Sequence, residues 1–396
     1  MIFRYEILRG KKKIKGFMEC ADVKEVEEKL KKAYGGRAKI KIRKSLIWIK
    51  RKGKVSDTVK MLFYRQLEAM IKCGIPLPDV LKLSAASIPE PAFALSVLNM
   101  ENEVLQGQYL HSAMEKEGYF NDVEKALVAA GEESASLDVI FRRLYDYFKD
   151  VFKIKSKIKE SLVYPMCIVI VMIAVLLIAS RLIMPKFIDI YENVGTEMPL
   201  LTAIVLEVFG RITYLLPFLV ILGVIIYLII SRAIKKEKYR WKWDKFILGL
   251  PKIGDILITS YWVEILRALE VLISAGVDLH KSLQHAETVA TRLPIKKVLE
   301  DAANAVLSGR MLYASLQRDL NYVSPLVVGM IAAGENSGSL EHMFASTAEY
   351  LEDELSHKIS LFMKFLEPAL IIAIGIIVGI VVFALYLPIF TLASKI

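Results

Sequence analysis

Glu132 and Glu335 have the best claim to function among the acids of this chain, because each stands in the same local sequence. Residues 129–138 read AAGEESASLD and residues 332–341 read AAGENSGSLE. A carboxylate recurring in one context can hold the exposed amides of a helix terminus and answer its dipole. It can also face a charged partner, which makes Glu132 and Glu335 candidate partner contacts; of the two readings, the first weighs more. The other reactive residue types do not assemble. His111, His280, His285, His342 and His357 show no HExxH or other metal-ligand spacing, and no GxSxG, GxxxxGK(S/T) or GxGxxG motif occurs. Serines beside glutamates read as helix caps rather than nucleophiles with a base. Cys20, Cys73 and Cys167 are far apart and form no CxxC, which points to reduced thiols rather than a disulfide frame or a metal site. No catalytic residue, cofactor or metal ligand is expected.

The elements that position the two glutamates form a duplicated unit. Gly131 and Gly334, Pro165 and Pro368, and Pro185 and Pro388 are all 203 residues apart, and a constant offset over such landmarks means an internal repeat. Gly131 and Gly334 suit the left-handed residue that ends a helix. Ser136 and Ser339 suit the N-cap of the next. Each stretch is therefore expected to be a tight helix–helix corner. The opening helices match too. Val59, Leu62, Phe63, Leu67, Met70 and Ile71 form one apolar stripe, and Trp262, Ile265, Leu266, Leu269, Leu272 and Ile273 the other. Gly74 and Gly276 stop them. After each corner a long helix follows, with Leu137, Ile140, Phe141, Leu144, Phe148 and Val151 inward in copy one, and Leu340, Met343, Phe344, Thr347 and Leu351 in copy two. Antiparallel helix bundles with short loops result.

A 55 % hydrophobic composition is too apolar for an ordinary soluble domain, and the excess lies in three runs: Met166–Met184, Ile212–Ile230 and Ala369–Leu387. Each is long enough to cross a bilayer. Pro165, Pro185, Pro368 and Pro388 mark membrane boundaries, with Pro165 and Pro368 expected to kink their helices. Residues 1–60 hold 20 Lys+Arg against 7 Asp+Glu, so the +10 net charge of the chain originates there. In a chain with membrane spans, that basic segment suits acidic headgroups or an acidic partner better than nucleic acid. The apolar start Met1–Leu8 is short and broken by Arg4 and Glu6, unlike a secretory signal. Lysines and arginines flank spans one and two on the bundle side, in 149–164 and 231–245, while the loop between the spans holds few. That places both bundles in the cytosol.

The expected fold is mainly α and integral to the membrane. It divides as a small basic α/β module and linker (1–55), a first bundle (56–160), a span (161–185), an outer loop (186–211) carrying an amphipathic helix over Pro199–Phe209, a second span (212–231), a basic connector (232–257), a second bundle (258–365) and a third span (366–390). The α/β module is read from alternating strands at Ile2–Leu8, Ile14–Met18 and Ala38–Lys50 around a helix over Val23–Lys32. Gly375 and Gly379 form a GxxxG in the third span, which fits close packing and chance equally.

Two copies of a bundle, each with a Gly-Ile/Val-x-Leu turn (Gly74–Leu77, Gly276–Leu279), each with AAGE-x-S-x-SL, and each followed by Tyr164-Pro165 or Glu367-Pro368 and an apolar helix, resemble the type II secretion system F domain family. Its members are inner-membrane platform proteins of type II secretion and type IV pilus assembly. The resemblance covers Ser56–Phe390. It implies a non-enzymatic scaffold that oligomerises, contacts a cytosolic hexameric ATPase and other inner-membrane assembly proteins, and receives pilin or pseudopilin subunits from the bilayer. Some secretion members bind calcium in the first bundle. Here Arg142 follows Asp138 by one turn, where a second carboxylate would help, so no calcium site is expected. A transporter or channel subunit is the alternative class, disfavoured by span centres without ionisable groups.

Overall fold

A computed structural model describes residues 2–9, 12–19, 39–44, 55–178 and 236–393, with scattered positions between 181 and 232. The expected helix over Val23–Lys32, the outer helix over Pro199–Phe209 and 12 of the 19 residues of the span Ile212–Ile230 lie outside the described residues. Three strands, β1 (Ile2–Arg9), β2 (Lys12–Glu19) and β3 (Lys39–Lys44), pair antiparallel in the order β2-β1-β3. Tyr5 is opposite Gly16 on one side and Ile42 on the other.

The first repeat is built from α1 (Asp57–Lys72), α2 (Leu77–Ala85), α3 (Pro91–Leu105), α4 (Leu110–Glu117), α5 (Asp122–Glu133) and the long α6 (Leu137–Ile178). After α7 (Glu237–Leu248), the second repeat runs through α8 (Ile253–Ser274), α9 (Leu279–Glu287), α10 (Leu293–Leu307) and α11 (Leu312–Leu316). A 3-10 turn at Gln317–Asp319 follows, then α12 (Pro325–Ser337) and the long α13 (Leu340–Ala393). These elements fall into two compact units. One takes in Met1–Lys153, Tyr261–Thr291 and Ile295–Tyr350; the other takes in Ile154–Ser260, Arg292–Pro294 and Leu351–Ile396.

Local chemistry sets the boundaries. The Ser56 hydroxyl accepts from Val59 N–H at the start of α1, and Asn121 and Glu124 form a capping box at the start of α5. Gly74 and Gly276 end α1 and α8 with φ of 78° and 83°, the left-handed region that only glycine enters without cost. In both cases the next residue, Ile75 or Val277, donates its N–H back across the last turn to Met70 or Leu272 O. This is the closure that satisfies orphan carbonyls at a helix end.

In the first unit the core of repeat one is aromatic. Phe63 meets Phe93 edge-on at 5.4 Å, and Tyr64 stacks on Phe148 at 5.6 Å. Such contacts add roughly 0.5–1.5 kcal/mol each beyond burial. The α1 stripe departs from expectation. Leu62 is 52 % exposed, and the buried face instead carries Lys60, Phe63, Tyr64, Leu67 and Glu68. The helix is turned so that two charged residues with partners face inward. α5 packs on α9, and Arg267 Nε lies 3.5 Å from Asp150 Oδ2, so the two repeats touch within this unit.

In the second unit, Asp244 on α7 accepts from Arg292 Nη1 at 2.6 Å and from Leu293 N–H at 3.1 Å. Lys358 on α13 donates to Asp255 and Thr259 on α8. Tyr164 donates to Glu367 at 3.4 Å, joining the two positions that directly precede Pro165 and Pro368. α6 runs on through Pro165, and α13 runs on through Pro368 and Pro388. Pro185 lies beyond the last residue of α6. Leu137–Val175 and Leu340–Ile380 are long and apolar enough to cross a membrane.

Candidate functional site

The two corners carry the recurring acids. In copy one, α5 ends at Glu133 and α6 begins at Leu137. Ser136 N–H donates to Gly131 O at 2.9 Å and Ala135 N–H to Glu132 O at 3.4 Å. In copy two, Ser339 N–H donates to Gly334 O at the same 2.9 Å. The left-handed residue of each closure is Ala135 (φ 51°) or Gly338 (φ 70°). The expectation that Gly131 and Gly334 fill that position is thus corrected. Both lie one turn earlier, buried inside their helices. Their glycine identity has another cause. A Cβ on Gly131 would stand 2.7 Å from Ile140 Cγ1, and one on Gly334 2.7 Å from Met343 Cγ. The missing side chains let the long helices α6 and α13 cross closely over α5 and α12. Ser136 and Ser339 directly precede those helices, and their hydroxyls contact Ser134 and Ser337 at 2.7 and 2.6 Å.

The copies differ in one strained position. Alanine pays roughly 1–2 kcal/mol for left-handed backbone where glycine pays little. Ala135→Gly is therefore expected to stabilise the chain by about 1 kcal/mol, read as a raised unfolding midpoint of the detergent-solubilised protein. An unchanged or lowered midpoint would refute the strain at Ala135.

Glu132 and Glu335 do the same work in each copy. Glu132 accepts from the backbone N–H of Leu110 at 2.5 Å and of His111 at 3.1 Å. Glu335 accepts from Leu312 at 2.6 Å and Tyr313 at 3.1 Å. Each carboxylate thus crosses from the end of one helix to the start of α4 or α11 and occupies its first amides, where the dipole favours negative charge. In copy one His111 Nδ1 also sits 2.6 Å from Glu132 Oε2, and Ser112 Oγ is 3.2 Å from His111 Nε2. This Ser–His–Glu chain has the order of an acyl-transfer relay, but the nearest helix-start amides that could stabilise an oxyanion are already taken by Glu132. Copy two has Tyr313 and Ala314 at the matching positions. Among the described residues no cluster of His, Cys, Asp and Glu is arranged to hold a metal.

Sequence reasoning missed a buried ionic cluster in the first repeat. Lys60 Nζ lies 2.5 Å from Glu124 Oε2, and Tyr64 OH donates to Glu124 Oε1 at 2.7 Å. Lys60 is also capped by the rings of Phe120 and Phe148 at 5.6 and 5.3 Å. Burial, then the charge of Glu124 and the bond to it, push the Tyr64 hydroxyl pKa well above its usual value, so Tyr64 stays a donor. The second repeat has Trp262, Leu266 and Val327 at the matching positions. The signal that could have found Glu124 is the Asn121-x-x-Glu124 capping-box pattern; no local pattern shows that it also reaches Lys60 and Tyr64.

Comparison with known proteins follows the duplication. The profile of the type II secretion system (T2SS) protein F family matches twice, over residues 63–185 and 265–388. The type IV pilus assembly protein TapC of Aeromonas hydrophila is 26 % identical over 99 % of this chain and 95 % of its own length. The type IV pilus assembly protein PilC of Myxococcus xanthus is 29 % identical over 96 % and 92 %. The type II secretion system protein F of Pseudomonas aeruginosa is 29 % identical over 84 % and 82 %.

Proposed function

This chain belongs to the type II secretion system (T2SS) protein F family, and from that membership we propose that it is an inner-membrane platform of a type IV pilus or type II secretion machine. The platform couples a cytosolic hexameric ATPase to the insertion of pilin or pseudopilin into a filament. The observation that carries this reading is the repeat itself: two bundles, each closed by the same corner and each continuing without a break into a long apolar helix, α6 or α13. A helix continuous from bundle to bilayer can transmit a displacement of one end to the other.

In this reading the chain crosses the membrane three times, with both bundles and the basic N-terminal α/β module cytoplasmic, following the lysine and arginine bias beside the apolar runs. It works as a homo-oligomer among other inner-membrane assembly proteins. The ATPase meets the bundle corners and the basic N-terminal segment. Glu132 and Glu335 shape those corners, and any contact they make with the ATPase uses lone pairs left over from the helix amides. Affinity purification of the tagged chain from membranes is expected to bring down a P-loop ATPase and a pilin-like protein. Recovery of neither, from membranes in which the filament is being assembled, would refute the proposal.

A further inference from the structure

A cleft of about 400 Å³ opens in the second repeat between the end of α10 and the segment from α11 to the 3-10 turn. Arg310 and Arg318 both line it, and both are exposed. Among the described residues no carboxylate pairs with either guanidinium. The first repeat shows what is missing. There Lys116, the match of Arg318 at an offset of 202, pairs with Glu103 at 2.6 Å, and Asn99 donates to Glu117 at 3.1 Å. Those two bonds tie α3 to α4. In the second repeat Glu103 is replaced by Ala305 and Asn99 by Asp301. The alanine removes the acid that would neutralise Arg318. The aspartate cannot donate to Asp319, the match of Glu117, and pairs instead with Lys297 at 2.9 Å. Both internal ties are gone, and two forked cations are left facing an open space.

The backbone holds one of them in place. Arg310 donates its N–H to Ala305 O at 2.9 Å as part of the turn that ends α10, with Gly309 left-handed at φ 75°. The cleft presents these two guanidiniums beside the small side chains of Ala305, Ser308, Ala314 and Ser315. With Asp301 answered by Lys297, Asp319 is the remaining acid of the lining. One carboxylate against two guanidiniums suits a monovalent anion and works against a doubly charged one.

We propose that this cleft receives a glutamate- or aspartate-bearing segment of a protein partner. The carboxylate enters between Arg310 and Arg318. Guanidinium forks match carboxylates in a way that a lysine ammonium does not. The inference rests on the scaffold reading only in taking the occupant to be a protein.

The test is a titration of the detergent-solubilised full chain with a short peptide of alternating leucine and glutamate pairs, blocked at both ends and carrying a neutral fluorophore, read by anisotropy. Binding should weaken about tenfold or more in Arg310→Gln/Arg318→Gln, the loss of a charge-assisted contact. It should tighten in Asp319→Asn and stay unchanged in Lys116→Gln, the match in the other repeat. The same peptide with glutamine for glutamate should bind far more weakly. Equal binding by the double arginine variant, or by the glutamine peptide, overturns the proposal. So does displacement of the peptide by inorganic phosphate at equal concentration, which would assign the cleft to a phosphate-bearing ligand. Because the probe is synthetic, failure here leaves ATPase copurification untouched, and failure of copurification leaves the titration standing.

Discussion

Replacing Lys60 by methionine is expected to lower the stability of the chain by about 3–5 kcal/mol, the cost of leaving a buried carboxylate without its cation. Glu124 is fully buried and the Lys60 side chain is 8 % exposed, so water cannot replace the missing charge. Glu124 would keep Tyr64 OH and Asn121 N–H as donors, and neither carries a compensating charge. The double variant Lys60→Met/Glu124→Gln should recover most of the loss, since removing both charges removes the desolvation penalty as well as the attraction. Glutamine at 124 can still accept from Tyr64 and serve the capping box. The second repeat supports the expectation: Trp262, Leu266 and Val327 fill the matching positions without a charge, and all three are buried. The measurement is the unfolding midpoint of the detergent-solubilised chain, followed by circular dichroism. A single variant within about 1 kcal/mol of the parent would mean the pair is already hydrated.

Removing either corner carboxylate is the second large effect. Glu132→Ala and Glu335→Ala should each cost about 2–3 kcal/mol, because each strands two backbone donors at a helix start that had a charged acceptor. Their neighbours provide the contrast. Glu133→Ala and Asn336→Ala alter exposed side chains and should stay within roughly 0.5 kcal/mol. If Glu132→Ala matched Glu133→Ala in midpoint, the carboxylate would be dispensable to the fold and a dedicated contact with a partner would become its main role. Charge reversal at Glu132 and Glu335 alone cannot separate those roles, since reversal also breaks the helix start. The neutral neighbours must be measured beside it.

Much of this was legible before any fold was known. The offset between Gly131 and Gly334 announced the repeat, and the paired motifs announced the family that the profile match bears out. Gly74 and Gly276 stop their helices as expected because their effect depends on residues within one turn. The inward face of α6 was also readable, with Ile140, Phe141, Leu144, Phe148 and Val151 all buried. Hydropathy alone puts the α1 stripe slightly out of phase, since it favours Leu62 over Lys60. The sequence leaves the role of Gly131 ambiguous because glycine answers two different demands. Left-handed backbone and close helix approach leave the same letter in the sequence.

By itself, then, the sequence determined the duplication, the opening helix, corner and long closing helix of each repeat, and the two long apolar helices fit for a bilayer. Each of these follows from periodicity, capping and length, which are properties of neighbouring residues. Only the tertiary structure decided that Glu124 meets Lys60 and Tyr64, that Glu132 and Glu335 hold the starts of α4 and α11, and that Arg310 and Arg318 share an open cleft. The partners in the first two cases lie about 20 to 60 residues apart in the chain, and the cleft lacks the two ties that the first repeat keeps. The energy of a charge depends on what faces it after packing, which no local pattern encodes.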